Sequence, residues 1–272
     1  MTLTSATTNG RRDVVVLVVV GLLAGWLSGF FGIGGGTVIV PALVWIGFNQ
    51  RQAAATSLAA IVPTAAAAAI SYIIGGQVDW VAAGLLIIGV IAGARIGSAL
   101  LSRLPETVLR WSFVVFLAVV AASQFFFVPQ RETTIPLTWL LALGIIVLGV
   151  ATGILSGVLG VGGGIVIVSA LSFFFGASDL TARGTSLVMM IPNAAIGTVT
   201  NRRKGLVNLK AGLLIGLPAI VATPLGVWCA QLLTPRINTV LFGVYISLLV
   251  IRSLFVAIRP RPPAADNTDS AA

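Results

Sequence analysis

An all-α, polytopic membrane fold built from two homologous halves follows from three observations. Charged residues make up only 8% of the 272 residues and apolar ones 58%, against roughly 25% charged in a soluble globular chain; the mean hydropathy is +1.09. The apolar runs are continuous and close to the ~20 residues of a membrane-crossing helix. The short alternating segments of a barrel are absent, and backbone groups in lipid must be paired within each helix. The third observation is a repeat. Ser28-Gly29-Phe30-Phe31-Gly32-Ile33-Gly34-Gly35-Gly36 returns as Ser156-Gly157-Val158-Leu159-Gly160-Val161-Gly162-Gly163-Gly164, with every glycine and the serine kept.

Composition also excludes function classes. The chain has no histidine and one cysteine, Cys229, which removes His-based triads, most transition-metal sites and internal disulfides. No cofactor, metal or nucleic-acid partner is expected. The net charge of +9 comes from basic residues in short loops, where the positive-inside bias puts them. Arg11-Arg12 ahead of a valine run lacks a following small-residue cleavage site, so it does not read as a leader.

Taken in order, residues 1–12 read as a cytoplasmic tail and 13–128 as the first transmembrane repeat. Asp13 to Phe31 is the first segment. The glycine cluster follows, then Thr37 to Gly47, short for a crossing, and a polar loop with Arg51. Ala53 to Ile74 is the next segment, with Thr56, Ser57 and Pro63 inside it. Asp79 is placed to cap Trp80 to Leu101, and Thr107 to Val128 completes the half. An inter-repeat loop, 129–135, separates it from the second repeat, 136–258. That half runs Pro136 to Leu159, the glycine cluster, Ile165 to Phe175, a loop with Asp179 and Arg183, Gly184 to Thr200, Leu206 to Leu233 and Arg236 to Ile258. Residues 259–272 read as a disordered tail.

The repeat extends past the glycines. Thr56-Ser57-Leu58 matches Thr185-Ser186-Leu187, Pro63 matches Pro192, and Gly97 matches Gly226. Such a duplication is typical of transporters. Eight to ten membrane segments are expected, the range depending on whether the short runs 37–47 and 165–175 cross. If they cross, each half has an odd number of passes and the halves are inverted. With both termini cytoplasmic, Arg11, Arg12, Arg51, Arg103, Arg110, Arg202, Arg203, Lys204, Arg259 and Arg261 then all lie inside, and only Arg131, Arg183 and Arg236 lie outside. If they turn back, the halves are parallel and Arg51, Arg103 and Arg110 move outside. The charge rule prefers the inverted arrangement.

Three consecutive glycines inside an apolar run exceed what helix packing needs. They are expected to break the helix, with Gly32 and Gly160 at the break and Pro63 and Pro192 as further breaks or hinges. The upstream glycines, Gly21, Gly25, Gly29 and Gly149, Gly153, Gly157, have the small-xxx-small spacing of close helix contacts. An unwound backbone followed by a half-helix N-terminus makes an anion site. The expected substrate-binding set is Gly34, Gly35, Gly36, Gly162, Gly163 and Gly164, with Ser28, Ser156, Ser57, Ser186 and Asn193 adding hydrogen bonds. Arg95, within Gly93-Ala94-Arg95-Ile96-Gly97, is the intramembrane cation. It either meets the anion or snorkels to the headgroups. Acidic residues lie near segment ends, so no carboxylate relay at mid-membrane is expected and the chain is not read as an enzyme.

The doubled Ser-Gly-x-x-Gly-x-Gly-Gly-Gly motif, the Ala-Thr-Ser-Leu and Gly-Thr-Ser-Leu segments, and Gly-Ala-Arg-Ile-Gly around Arg95 resemble the TauE/SafE sulfite exporter family, also called the toluenesulfonate uptake permeases. The resemblance covers Val14 to Val256. It implies a prokaryotic inner-membrane transporter for small sulfur oxyanions or organosulfur compounds such as sulfite and sulfonates, described with about eight spans. The expectation is therefore a secondary transporter working by alternating access, embedded in the bilayer with a small anionic substrate. An anion channel and a carrier of small carboxylates are the alternatives. Substrate identity, direction, coupling ion and oligomeric state stay open at this level.

Overall fold

The computed structural model describes residues 11–125 and 138–258. Ten helices account for nearly all of them: α1 (Arg11–Phe31), α2 (Gly36–Trp45), α3 (Gln50–Ile74), α4 (Trp80–Arg103), α5 (Glu106–Phe125), α6 (Trp139–Leu159), α7 (Gly164–Phe174), α8 (Asp179–Arg203), α9 (Leu209–Leu232) and α10 (Pro235–Ile258). The second five repeat the first five: one long helix, one short, three long. The first helix starts at Arg11, inside the expected tail; the rest of that tail, the loop 129–135 and the tail 259–272 lie outside the described residues.

Six of these helices, α1, α3, α4, α6, α9 and α10, are long and apolar enough to cross a membrane, and α2 is a shorter apolar helix. α8 is as long as α3 but more polar. Its Thr185, Ser186, Asn193 and Asn201 are buried, so they face protein and not lipid.

Helix starts follow local chemistry. Asn49, Asp79, Ser178 and Asn208 accept first-turn N–H groups at the heads of α3, α4, α8 and α9, the N-cap role of short polar side chains. The Ser178 cap starts α8 earlier than the sequence suggests, so Asp179 and Arg183 belong to a helix and not to a loop. At Pro63 and Pro192 no break occurs; α3 and α8 run through both. Neighbouring helices support a proline in such a setting: a Cβ on Gly216 of α9 would lie 2.6 Å from the Pro63 ring.

The halves are interleaved. A Cβ on Gly21, Gly25 or Gly29 of α1 would lie 2.3, 2.3 and 2.2 Å from the carbonyl oxygens of Ile215, Ala219 and Thr223 of α9. The same contact recurs where Gly89, Gly93 and Gly97 of α4 meet the carbonyl oxygens of Ile146, Val150 and Ile154 of α6 at 2.1, 2.2 and 2.3 Å. Both pairings rise together along the chain, so α1 is parallel to α9 and α4 to α6. Hydrogen on Cα, facing a carbonyl at this range, makes a weak favourable contact. α3 and α8 behave oppositely: Gly184 meets Tyr72, while Gly197 meets Leu58. These equivalent helices are antiparallel, so the halves are inverted.

One end of the molecule gathers Arg12, Arg51, Arg103, Arg110, Arg202, Arg203, Lys204 and Lys210; the other carries Asp79, Asp179, Arg183 and Arg236. The first is the basic end and the second the far end.

Gly25→Val and Gly93→Val are each expected to cost roughly 1–3 kcal/mol by overpacking and to lower the melting temperature in detergent. Gly84→Ala, whose Cβ would meet nothing within 4 Å, should keep or raise it. A native-like melt for Gly25→Val would show that α1 and α9 are not in contact there.

Candidate functional site

Both helix breaks are present and are built the same way. Gly32 and Gly160 adopt φ of 72° and 70°, and their N–H groups donate to the Ser28 and Ser156 carbonyls at 2.8 Å. These are left-handed helix stops that a side chain would strain. Gly34 and Gly35 (φ 73° and 75°) and Gly162 and Gly163 (φ 83° and 84°) then turn the chain back. Gly35 returns alongside Ala24, to whose carbonyl oxygen a Cβ would come within 2.9 Å. α1 and α2 thus form a hairpin within the membrane that leaves the basic end and returns to it. α6 and α7 form its inverted copy from the far end.

The two hairpins meet backbone to backbone. A Cβ on Gly36 would lie 2.7 Å from Val161 Cα, and one on Gly164 2.9 Å from Ile33 Cα. The N-termini of α2 and α7 therefore both point toward the centre, and neither has a side-chain cap. Helix N-termini carry unpaired N–H groups and partial positive charge. In this conformation the centre is filled. Ile61, midway along α3, and Met190, its equivalent midway along α8, cover the breaks: a Cβ on Gly34 or Gly162 would come within 1.9 and 2.2 Å of the Met190 methyl and 3.4 and 3.2 Å of Ile61.

Polar side chains flank this plug unequally. Asn193 Nδ2 donates to Ser156 Oγ and to the Gly162 carbonyl, both at 2.8 Å. The Thr152 methyl would be 2.3 Å from a Cβ on Gly163. Ser28, Thr152 and Asn193 are at most 1% exposed, and Ser28 Oγ, Thr152 Oγ1 and Asn193 Oδ1 have no hydrogen-bond partner among the described residues. Leaving such a group unpaired costs about 1–3 kcal/mol, so their concentration beside the breaks marks the region. The structure brings Ser28, Gly34, Gly35, Gly36, Ser156, Gly162, Gly163, Gly164 and Asn193 to this region. Thr152, whose counterpart is Ala24, is an addition that hydropathy hides.

Ser57 and Ser186 are committed elsewhere. Ser57 Oγ contacts the carbonyls of Ala54 and Gly160. Ser186 Oγ does the same with Arg183 (2.9 Å) and Gly32 (2.8 Å). Each serine thus ties down the break of the opposite half. The neighbouring threonines also reach across: Thr185 Oγ1 accepts from Asp79 N at 2.9 Å, and Thr56 Oγ1 from Asn208 N at 3.1 Å. The repeated Thr-Ser pair is a double staple between halves.

The arginines exchange places. α4 turns Gly93 and Gly97 onto α6, and Arg95, between them, projects from the opposite, exposed face. Of the two expectations for Arg95, this exposed placement matches the snorkelling side chain and not one buried at a break. The buried cation is Arg183, 5% exposed. Its Nη1 donates to the Phe30 carbonyl at 2.6 Å, and Asp179 Oδ2 lies 3.9 Å from Nη2. Its stem lies on Gly32, where a Cβ would be 2.5 Å from Arg183 Cβ. A cation at the C-terminal end of α1 is favoured by the helix dipole. The equivalent position in the first half is Ala54, packed on Gly160, so no counterpart of Arg183 rests on the second break.

The family described as "Sulfite exporter TauE/SafE" matches the chain twice, over residues 2–144 and 145–271. The probable membrane transporter protein YunE of Bacillus subtilis is 26% identical over 82% of this chain and 88% of its own length. A probable membrane transporter protein of Methanocaldococcus jannaschii is 26% identical over 89% of this chain and 95% of its own. Sulfite exporter TauE/SafE family protein 1 of Arabidopsis thaliana is 32% identical over 40% of this chain and 24% of its own length. No solved structure matches.

Gly162→Ala places a side chain at positive φ, worth roughly 1–2 kcal/mol of strain, and drives it into Met190. Its effect on the melting temperature should shrink, but not vanish, in a Met190→Ala background. Equal drops in both backgrounds would mean that Met190 does not rest on the break.

Proposed function

The chain belongs to the TauE/SafE sulfite exporter family and is a multi-pass membrane transporter, and from that premise we propose that it moves small sulfur oxyanions or sulfonates across a prokaryotic inner membrane by alternating access. One observation carries the reading. Two inverted hairpins aim the N-termini of α2 and α7 at a common centre, and buried hydroxyl and amide groups surround it. Backbone N–H groups at helix starts bind oxyanions, and paired half-helices at mid-membrane are a recurring transporter site.

The substrate contacts proposed are the N–H groups of Gly34 to Gly36 and Gly162 to Gly164, with Ser28, Ser156, Thr152 and Asn193. Ile61 and Met190 must withdraw before an anion can occupy the centre, which favours a carrier with an occluded state over a standing pore. Arg183 supplies the charge, since guanidinium pairs well with oxyanions. Ser57 and Ser186 act through the break they hold. The inverted arrangement together with the positive-inside bias orients the basic end, with both termini, toward the cytoplasm.

Counterflow in proteoliposomes with radiolabelled sulfite, taurine and acetate tests the substrate class. Saturable exchange of the sulfur compounds is expected, and exchange of acetate alone would overturn it. Arg183→Gln should lower the flux about tenfold to a hundredfold, the worth of a charged hydrogen bond, whereas Arg95→Gln should stay near native. The reverse order would return the role to Arg95. For orientation, Arg103→Cys in a Cys229→Ser background should react with an impermeant maleimide only from the cytoplasmic side; external labelling would invert the assignment.

A further inference from the structure

The pseudo-twofold axis relates the two ends, so a difference between equivalent positions is informative. At the far end, Gly29 of α1 packs against the backbone of Val227, and the Tyr72 hydroxyl donates to the Gly29 carbonyl at 2.9 Å. Both Tyr72 and Val227 are buried there, and the tyrosine hydroxyl is satisfied. The equivalent trio at the basic end is Gly157, Ser98 and Asn201, and Gly157 again packs against the partner backbone, with a Cβ 2.7 Å from Ser98 N.

The chemistry of the trio has changed. Ser98 and Asn201 are both fully buried, at 0% exposure. Ser98 Oγ and both amide atoms of Asn201 lack a hydrogen-bond partner among the described residues, although buried polar atoms are nearly always paired. Replacing a phenol and an isopropyl group by an amide and a hydroxyl also removes volume. Lys204 stands over the same place: its Nζ donates to the Ser98 carbonyl at 2.8 Å and to Ser102 Oγ at 3.0 Å. Slight desolvation of this exposed side chain, and then the nearby charge of Arg103, hold its pKa below the usual lysine value. The trio therefore gathers an amide N–H pair, a hydroxyl and an ammonium next to the second break. The Asn201 carbonyl suits the protonated oxygen of a singly protonated oxyanion.

We infer that Ser98, Asn201 and Lys204 form an entry subsite for a small oxyanion at the basic end, while Tyr72 and Val227 seal the far end in this conformation. The inference rests on the transport reading and adds where, and from which side, the anion first binds.

Its test uses Ser98→Cys in the Cys229→Ser background, reconstituted in vesicles of known orientation. The probes are sulfonatoethyl methanethiosulfonate, an anion, and trimethylammonioethyl methanethiosulfonate, a cation. Added from the basic side, the anionic reagent should react about tenfold or more faster than the cationic one after correction for free-thiol reactivity, the scale of electrostatic focusing in a charged cleft. Methanesulfonate should slow it, and adding Asn201→Tyr should abolish it. No reaction from the basic side, or equal rates for the two reagents, overturns the subsite. As a second measure in the otherwise native protein, Asn201→Tyr should depress sulfite counterflow at least as strongly as it depresses labelling; undiminished flux also overturns it. Labelling without any anion flux would keep the subsite and remove the transport reading, whereas flux without labelling would remove the subsite alone.

Discussion

Backbone-to-backbone approach between helices of opposite halves is the contact on which the rest of this molecule depends. Lipid tails are as apolar as leucine, so burial of apolar side chains gives little reason for two membrane helices to pair. Glycine stripes on α1, α4 and α6 let carbonyl groups come against Cα atoms, and dispersion and weak Cα–H···O contacts then act over the whole helix length. Because α1 lies on α9 and α6 on α4, neither half completes its own packing. The hydroxyl staples from Thr56, Ser57, Thr185 and Ser186 all cross the same divide.

That interleaving supports the breaks. A left-handed stop in mid-membrane frees backbone polar groups that lipid cannot satisfy. Here the freed carbonyls of Gly32, Gly160 and Phe30 are taken by Ser186, Ser57 and Arg183. On the outer side of the first break, Phe31 packs with Phe242 and Tyr245 at ring separations of 4.9 and 5.5 Å, and the Tyr245 and Thr37 hydroxyls are hydrogen-bonded at 2.9 Å. The rigid surround and the unpaired groups at the centre are therefore two sides of one design: carbonyls are satisfied by the opposite half, while donors at the heads of α2 and α7 are left facing inward.

Much of this is legible in the sequence. The spans, the duplication, the breaks at the glycine triplets and the packing role of the upstream glycines follow from run length, repeat and spacing. The prolines mislead, because a kink depends on what neighbouring helices supply. Arg95 stays open between two roles in the sequence, and Arg183 is missed, for a different reason. Depth along a helix can be counted from sequence, but the face a residue presents depends on the partner. The Gly89, Gly93, Gly97 spacing does define the packed face of α4 and puts Arg95 opposite it. Nothing comparable marks Arg183, whose polar neighbours Ser178 and Asp179 look like a loop until they are seen to cap a helix. Ile61 and Met190 read as ordinary core residues, and only the inverted pairing of α3 and α8 sets them over the breaks.

The short helices have a consequence for how the chain enters the bilayer. Each half makes an odd number of passes only because α2 and α7, of 10 and 11 residues, come back toward the end from which α1 and α6 set out. Parity then fixes the rest: with that return, the second half threads in upside down relative to the first, and α9 arrives parallel to α1. Were the α1–α2 hairpin to straighten during insertion, every later helix would be delivered with the wrong sense, and the stripes of α1 and α9 would run in opposite directions. The glycine triplets thus act twice, as architecture in the finished protein and as a counting device while it is being made.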